Sequence, residues 1–332
     1  MCSGLWHWKR DSTNFRMDDW RGRLEAWFAR RLPSAGRVEI ARVGRLPAGA
    51  SNETLALDLS LHCDGEVVRL PLVLRPERAG GILAPYDVLR QFRVMRALAR
   101  TAVPVPAVAW YEADQSILGA PFFCMSRLEC ETLPLFWYGD SPRLRSAARM
   151  LSEIHAVDWR AAGLAFLRAD ENASATAGEL AAWRDRAELL RVGRAPLLLA
   201  LGDYLVQNEP SDARLALLHG DPNPGNYLFR GAGIVGVVDW ELAAIGDPRS
   251  DLGFYAALMT VFGGFPGDGG RTLLSDAYEA ETSRALHNLE YYEALGLYRM
   301  AIVMSAWASV SHFGMDAIAR RLANLLGPRW AA

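Results

Sequence analysis

Residues that could hold a metal-bound phosphate are concentrated in one segment of the sequence, residues 218–241. His219, Asp221 and Asn226 lie in a loop rich in proline and glycine, and Asp239 follows an apolar run of β-branched residues. The prolines restrict this loop, and a hairpin would return Asp239 beside it. Two carboxylates and an amide oxygen form an oxygen-only ligand set, which suits Mg²⁺ that holds phosphate oxygens. The alternative interpretation is a polar turn with an Asx cap and an aspartate at a strand end.

The elements that must position these residues divide the chain into two parts of different character. Asp64 and Gly65 predict a tight turn between two strands. A helix is predicted over residues 87–100, and strands over residues 38–46, 54–62, 67–74, 108–111 and 121–125. After about residue 127 the spacing becomes helical, apart from the loop and two short strands of the segment above. The pattern predicts an α+β fold with a small β-rich N-terminal lobe, residues 1–127, a mainly helical C-terminal lobe, residues 128–332, and a cleft between them.

Composition excludes several classes of protein. The 332 residues carry 36 basic and 38 acidic side chains, a net charge of −2, which argues against a nucleic-acid partner. With 51% hydrophobic residues the chain can build a full core, so it is not intrinsically disordered. Lys9 is the only lysine in the sequence. Any mechanism that requires a buried catalytic lysine is therefore excluded.

Neither a disulfide framework nor membrane attachment is expected. The four cysteines are scattered and form no CxxC pair. Residues 1–14 contain no apolar stretch of the kind found in signal peptides, and the longest apolar stretch, residues 252–265, is too short to span a bilayer. We therefore expect a reduced, cytoplasmic protein without a membrane partner.

Several segments together resemble the motifs of the aminoglycoside phosphotransferase-like kinases, and they occur in the family's order. They are the phosphate-covering loop (residues 46–52), the strand with a phosphate-contacting cation (73–75), the segment before the hinge (119–125), the Leu-His helix (151–157), the loop and hairpin (218–241) and a Gly-Asp-Pro motif with the following helix (246–253). The resemblance covers residues 38–255. It implies a bilobal protein-kinase-like fold and transfer of the ATP γ-phosphoryl group to a small-molecule hydroxyl.

The resemblance also implies a role for each matching residue. Asp221 would be the base that positions the acceptor hydroxyl, while Asn226 and Asp239 would bind Mg²⁺. The nucleotide, ATP with GTP as the alternative, would contact Ser51, Asn52, Arg75, Gln91, Met125, Ser126 and Arg127. His219 is expected to hold the loop rather than transfer protons, and Asp247 and Asp251 are expected to brace it.

Two of these residues depart from the family's pattern. Arg75 replaces the lysine that usually contacts the nucleotide phosphates, and Gln91 replaces the helix glutamate that usually pairs with that lysine. Arginine still supplies a permanent charge and a planar donor fork suited to phosphate. The alternative function is a catalytically weak nucleotide-binding regulator, a pseudokinase. A third hypothesis is a metal-dependent hydrolase that uses His219 and Asp221.

The C-terminal region, which would form the acceptor site in this fold, has balanced charge. Seven acidic residues occur after residue 260 (Asp268, Asp276, Glu279, Glu281, Glu290, Glu293, Asp316), against six arginines (Arg271, Arg284, Arg299, Arg320, Arg321, Arg329). A site for a polycationic aminoglycoside should be strongly acidic, because complementary charge concentrates the substrate. We therefore expect a neutral or modestly charged, partly apolar hydroxyl compound as the partner.

Overall fold

The computed structural model describes residues 17–45, 54–78, 80, 86–133, 141–168, 170–193, 195–262, 267–306 and 311–330. The chain divides into two compact units. The N-terminal unit comprises Met1–Arg96 and Pro106–Leu128. The C-terminal unit comprises Ala97–Val105 and Glu129–Ala332.

The N-terminal unit is built on a five-stranded antiparallel sheet. Its elements are α1 (Met17–Arg31), β1 (Arg37–Arg45), β2 (Leu55–Cys63), β3 (Glu66–Pro76), α2 (Val88–Leu98), β4 (Val108–Glu112), α3 (Gln115–Leu118) and β5 (Phe122–Ser126). The strands lie in the order β1-β2-β3-β5-β4. The predicted turn between β2 and β3 is confirmed, since Asp64 and Gly65 both have positive φ and Cys63 pairs with Glu66.

The two faces of this sheet carry different helices. Trp27 and Phe28 of α1 are buried in a cluster that contains Leu72 and Leu74 of β3. On the opposite face, the Phe92 ring of α2 lies 6.2 Å from that of Phe123 on β5. Because successive strand residues point to opposite faces, β3 presents its odd-numbered residues, Arg75 among them, to the α2 side.

The C-terminal unit is mainly helical. Its helices are α4 (Pro142–His155), α5 (Ala175–Leu189), α6 (Pro196–Gln207), α7 (Arg249–Val261), α8 (Leu273–Thr282), α9 (Leu289–Ala306) and α10 (Ser311–Leu326). Its strands are β6 (Glu131–Thr132), β7 (Ala216–Leu218), β8 (Tyr227–Arg230), β9 (Gly233–Val237) and β10 (Ala244–Gly246). The predicted α+β class, with a β-rich N-terminal part and a helical C-terminal part, is confirmed.

Helices α7 and α9 approach each other so closely that a side chain is excluded at their contact. A Cβ atom at Gly253 would lie 2.1 Å from the Tyr292 carbonyl oxygen. This close approach places the buried middle of α9 against α7. In the part of the chain that the structure describes, no helix is long and apolar enough to cross a bilayer.

Candidate active site

The loop that contains Asp221 lies at the end of a short two-stranded sheet. β7 pairs with β10, and the chain turns after Leu218 into His219 and Gly220. Gly220 has a φ of 84°, and a Cβ atom there would lie 2.0 Å from the Leu242 carbonyl oxygen. Only glycine therefore fits this turn without a shift of the backbone.

The hairpin of β8 and β9 brings Asp239 near Asn226. Tyr227 pairs with Val237, and the N–H of Val238 donates to the Asn226 carbonyl oxygen at 3.0 Å. Val238 and Asn226 are thus paired through the backbone, and Asp239 is the residue that follows Val238. Its φ of 67° lies in the left-handed region, which is uncommon for residues other than glycine and is found repeatedly at functional sites.

Asn226 orients Asp221 directly. Its Nδ2 donates to the Asp221 carboxylate oxygen Oδ2 at 3.0 Å and to the Asp221 carbonyl oxygen at 2.9 Å. Both bonds use the amide nitrogen, which leaves Oδ1 as the atom of Asn226 suited to a cation. The other carboxylate oxygen of Asp221, Oδ1, is buried and has no hydrogen-bond partner within the part of the chain that the structure describes. A buried acceptor without a donor is costly, and a ligand hydroxyl would supply the donor.

The electrostatics of Asp221 also favour a cation nearby. Burial raises the pKa of Asp221, and the charge of Asp239 raises it further, while His219, Asn226 and Arg299 act in the opposite direction. The net shift is upward. Two neighbouring carboxylates that repel each other favour a hard divalent ion beside them, because its charge offsets the repulsion. Among the described residues, no group of three or more His, Cys, Asp or Glu side chains could hold a metal. A cation held by Asn226 and Asp239 would therefore need further oxygens from phosphates and water.

Asp251 fixes the backbone just before Asp221. Its carboxylate accepts the N–H of His219 at 2.9 Å and the N–H of Gly220 at 2.9 Å. The same carboxylate contacts Nε2 of His155 at 3.0 Å, and Nδ1 of that histidine contacts the Tyr278 hydroxyl at 2.9 Å. Burial alone would raise the pKa of Asp251, yet these hydrogen bonds and the charge of His155 outweigh it and lower the pKa. The bracing role expected for Asp251 thus has a geometric basis in its three contacts with His219, Gly220 and His155.

His219 is held in one tautomer by its two contacts. The N–H of Asp221 approaches Nδ1 at 3.2 Å, so Nδ1 must accept. Nε2 lies 3.0 Å from the Val238 carbonyl oxygen, so Nε2 must donate. The ring also packs at 4.6 Å on Trp240. Because both ring nitrogens are engaged with the backbone, the geometry supports a structural role for His219.

In the N-terminal unit, Arg75 and Gln91 are in contact. Arg75 donates through Nη1 to the Thr54 hydroxyl at 3.1 Å and through Nη2 to the Gln91 carboxamide oxygen at 3.4 Å. Since that oxygen faces the guanidinium, the Gln91 amide nitrogen faces away, and it is buried without a hydrogen-bond partner among the described residues. An anionic group beside Arg75 could accept charge-assisted hydrogen bonds from its guanidinium.

Replacing Arg75 by alanine should weaken ATP binding by about 1.5–3 kcal/mol, the range for charge-assisted hydrogen bonds. AMP, which lacks the outer phosphates, should lose less, and Arg75→Lys should retain part of the affinity because the charge survives. Titration calorimetry measures these affinities, with Arg69→Ala, an exposed arginine on the same strand, as the control. Equal ATP affinity in wild type and Arg75→Ala would remove Arg75 from the site.

The remaining nucleotide-site predictions concern the end of β5 and the loop before β2. The N–H of Ser126 donates to the Ala107 carbonyl oxygen at 2.9 Å, and the N–H of Arg127 donates to that of Pro71 at 3.1 Å. Neither N–H is thus available to a nucleotide base, whereas Nη1 of Arg127 is buried and has no hydrogen-bond partner in the described ranges. Met125 is buried in β5. Ser51 and Asn52 lie outside the described residues.

Arg299 is a candidate functional residue that the sequence analysis missed, because it was counted only as one charge of the acceptor region. It is 1% exposed in the middle of α9 and donates to the carbonyl oxygen of Gly220 and to Glu179. Its position in an apolar stretch of the sequence, residues 294–304, could have identified it as a buried charge. A charged side chain in such a stretch is buried only with a partner.

Comparison with known proteins gives a consistent family assignment. The family described as "Phosphotransferase enzyme family" matches residues 42–293. Acyl-CoA dehydrogenase family member 10 of Mus musculus is 30% identical over 209 residues, which are 59% of this chain and 19% of the mouse protein. The match covers 19–38% of the length of curated relatives of this kind, so the chain spans well under half of these proteins.

Two solved structures show the fold. A Ralstonia eutropha protein described as a candidate aminoglycoside phosphotransferase superposes with a TM-score of 0.65 at 24% identity, over 93% of this chain and 97% of that one. Aminoglycoside phosphotransferase APH(4)-Ia, in a ternary complex with ADP and hygromycin B, superposes with a TM-score of 0.56 at 15% identity, over 93% and 99%. The protein-kinase-like fold implied by the sequence motifs is thereby confirmed.

Proposed function

Because the chain belongs to the phosphotransferase enzyme family, we propose that it transfers the γ-phosphoryl group of ATP, or of GTP, to a hydroxyl group of a small molecule. Asp221 receives the hydrogen bond of the acceptor hydroxyl and directs its oxygen toward the phosphorus. Arg75 and Gln91 contact the nucleotide phosphates. Phosphoryl transfer needs little covalent participation by the protein, so positioning and charge neutralisation supply most of the catalysis.

The observation that carries this proposal is the state of the Asp221 carboxylate. One oxygen is fixed by the Asn226 amide, and the other is buried without a donor from any residue that the structure describes. The backbone on its N-terminal side is held by Asp251. A rigid carboxylate with one open acceptor position is suited to orienting a hydroxyl group, since a preorganised acceptor has no reorganisation to undergo during the reaction.

The oxygen ligands of the site fit Mg²⁺. Asp239 would bind it through the carboxylate and Asn226 through Oδ1, the atom not used to orient Asp221. When bound, the ion would neutralise charge on the nucleotide phosphates. The left-handed backbone of Asp239 supports this assignment, because a strained residue is retained where its geometry serves a function.

Replacing Asp239 by alanine should abolish the tightening of nucleotide binding that Mg²⁺ causes, since the variant lacks the only carboxylate assigned to the ion. The measurement is the Kd of ATP with and without Mg²⁺, by titration calorimetry. Asp203→Ala, at a largely exposed aspartate of the same unit, is the control and should keep the Mg²⁺ effect. An undiminished Mg²⁺ effect in Asp239→Ala would show that Asp239 is not the ligand.

The acceptor is proposed to be a neutral or modestly charged alcohol rather than a polycationic aminoglycoside. Acidic residues of the C-terminal helices are already paired within the fold. Glu293 is bonded to Arg321, while Asp276 and Glu279 both contact Arg271. These carboxylates are neutralised by arginines, so they contribute little to an anionic surface that would concentrate a polycation.

A transfer assay tests the proposed function. Purified protein is incubated with Mg·ATP and a library of alcohols, macrolides and sugars, and mass spectrometry detects the addition of one phosphoryl group. The proposal expects such a product for at least one acceptor. Phosphate release without dependence on an acceptor would support the hydrolase instead. Nucleotide binding with neither transfer nor release would support the pseudokinase.

A further inference from the structure

Arg299 makes an unusual set of contacts for an arginine in a protein core. Its Nη1 donates to Glu179 at 3.1 Å, and Nη2 donates to the Gly220 carbonyl oxygen. The guanidinium carbon lies 3.9 Å from the Phe254 ring centroid and 5.0 Å from that of Trp183. Each ionic and polar contact reaches another element of the C-terminal unit, so the guanidinium connects α9, α5 and the loop before Asp221.

The burial of this ion pair opposes its charged state. Burial lowers the pKa of Arg299 and raises the pKa of Glu179, and the opposite charge of each partner only partly offsets the effect. Removing two charges from water often costs as much as their attraction returns, so a buried pair is weak evidence for a purely stabilising role. The position of Arg299 against the catalytic loop suggests what else it does.

The backbone before Asp221 is held by two buried groups of opposite charge. Asp251 accepts the N–H groups of His219 and Gly220, and Arg299 donates to the carbonyl oxygen of Gly220. We call Asp251 and Arg299 together the loop clamp. The Gly220 carbonyl belongs to the peptide bond that leads into Asp221, so its orientation fixes the direction in which the Asp221 side chain leaves the backbone.

We propose that Arg299 is a positioning residue for phosphoryl transfer, which acts by holding the Gly220–Asp221 peptide so that the Asp221 carboxylate faces the acceptor hydroxyl. Arg299 is fully buried and touches neither substrate in this role. The catalytic part of the proposal rests on the proposed function, whereas the effect on the loop backbone does not. Glu179 contributes by neutralising the guanidinium, and the bond to Gly220 is the one on which turnover depends.

The chain offers a matched control for Arg299. Arg321 also donates to a buried glutamate, Glu293, and to a glycine carbonyl oxygen, that of Gly267, but it does not touch the loop clamp. A core arginine with a merely structural role should behave like Arg321. The two arginines can therefore be compared by the same substitutions to methionine, which keeps most of the apolar stem and removes the charge.

The experiment measures two quantities in Arg299→Met, Arg299→Lys, Glu179→Gln and Arg321→Met. The first is hydrogen–deuterium exchange of the segment 216–226, and the second is the kcat for transfer from Mg·ATP to an acceptor found in the screen. Arg299→Met should lower kcat about a hundred-fold, as a small misplacement of a catalytic group does. It should speed exchange of the segment while the Kd of ATP is unchanged.

The other variants separate the charge of Arg299 from its geometry. The kcat and the exchange rate of Arg299→Lys should fall between those of wild type and Arg299→Met. Glu179→Gln should keep most of the kcat, and Arg321→Met should keep both the kcat and the slow exchange of the segment.

Two outcomes would overturn the proposal. One is equal loss of kcat and equal exchange of residues 216–226 in Arg299→Met and Arg321→Met, which would make Arg299 an ordinary core arginine. The other, decisive if Arg299→Met does not fold, is wild-type kcat and exchange in Arg299→Lys. A wild-type protein that transfers no phosphoryl group to any alcohol, macrolide or sugar in the screen contradicts the proposed function. The exchange measurement then still decides whether Arg299 holds the loop.

Discussion

Replacing Asp221 by asparagine should reduce phosphoryl transfer by roughly 10²- to 10⁴-fold, the usual contribution of a positioned acid or base. Asparagine has nearly the same shape, but its amide has one neutral acceptor oxygen in place of two charged ones. The hydrogen bond from Asn226 to Oδ2 can be kept by that oxygen. The open position at Oδ1 would then hold an NH₂ group, which cannot accept the proton of an acceptor hydroxyl.

The measurement is kcat in the transfer assay, together with thermal unfolding and the Kd of ATP in the absence of an acceptor. We expect the melting temperature and the Kd to stay close to wild type. Asn223→Asp, a neighbouring loop substitution that leaves Asp221 and Asn226 unchanged, is a useful comparison, because the Asn223 oxygen that accepts the Gly225 N–H is retained as a carboxylate oxygen. Near-wild-type turnover in a folded Asp221→Asn variant would contradict the role given to Asp221.

Replacing Asp251 by asparagine should lower the free energy of unfolding by about 1–3 kcal/mol, the cost of leaving a buried hydrogen-bond donor without its acceptor. The carboxylate accepts the N–H of His219 and of Gly220 and contacts Nε2 of His155. An asparagine must turn its NH₂ group toward one of these donors. Because the loop then loses part of its anchor, turnover should fall together with stability.

Urea unfolding measures this loss, with Asp276→Asn as the control, since Asp276 is exposed and pairs with a partly exposed arginine, Arg271. The comparison also has a defined pH dependence. The folded pKa of Asp251 lies below its ordinary value of 3.8, so its stabilisation is complete above that value and is lost as the pH falls through the folded pKa. The difference between wild type and Asp251→Asn should therefore shrink below about pH 4. A loss under about 1 kcal/mol at neutral pH would contradict the anchoring role.

The sequence alone determined the features that depend on neighbouring residues. The strand pattern, the turn at Asp64 and Gly65, and the hairpin that returns Asp239 toward Asn226 are local, so composition and spacing were enough to predict them. The order of the motifs identified the family as well, because the loop, the strand and the hairpin occur in one fixed sequence along the chain. Alternation along a strand likewise puts Arg75 on the face opposite to Leu74.

Tertiary structure decided which distant side chains hold these local elements. The bonds from Asp251 to the loop span about 30 residues, and the bond from Arg299 to Gly220 spans 79. The contact of Arg299 with Glu179 spans 120 residues. A sequence pattern shows the period of an element and which of its faces is apolar. It does not show which buried polar group on another element forms hydrogen bonds with that element. That choice follows from how the helices pack, and here the close approach of α7 and α9 at Gly253 fixes where the buried face of α9, with Arg299, lies.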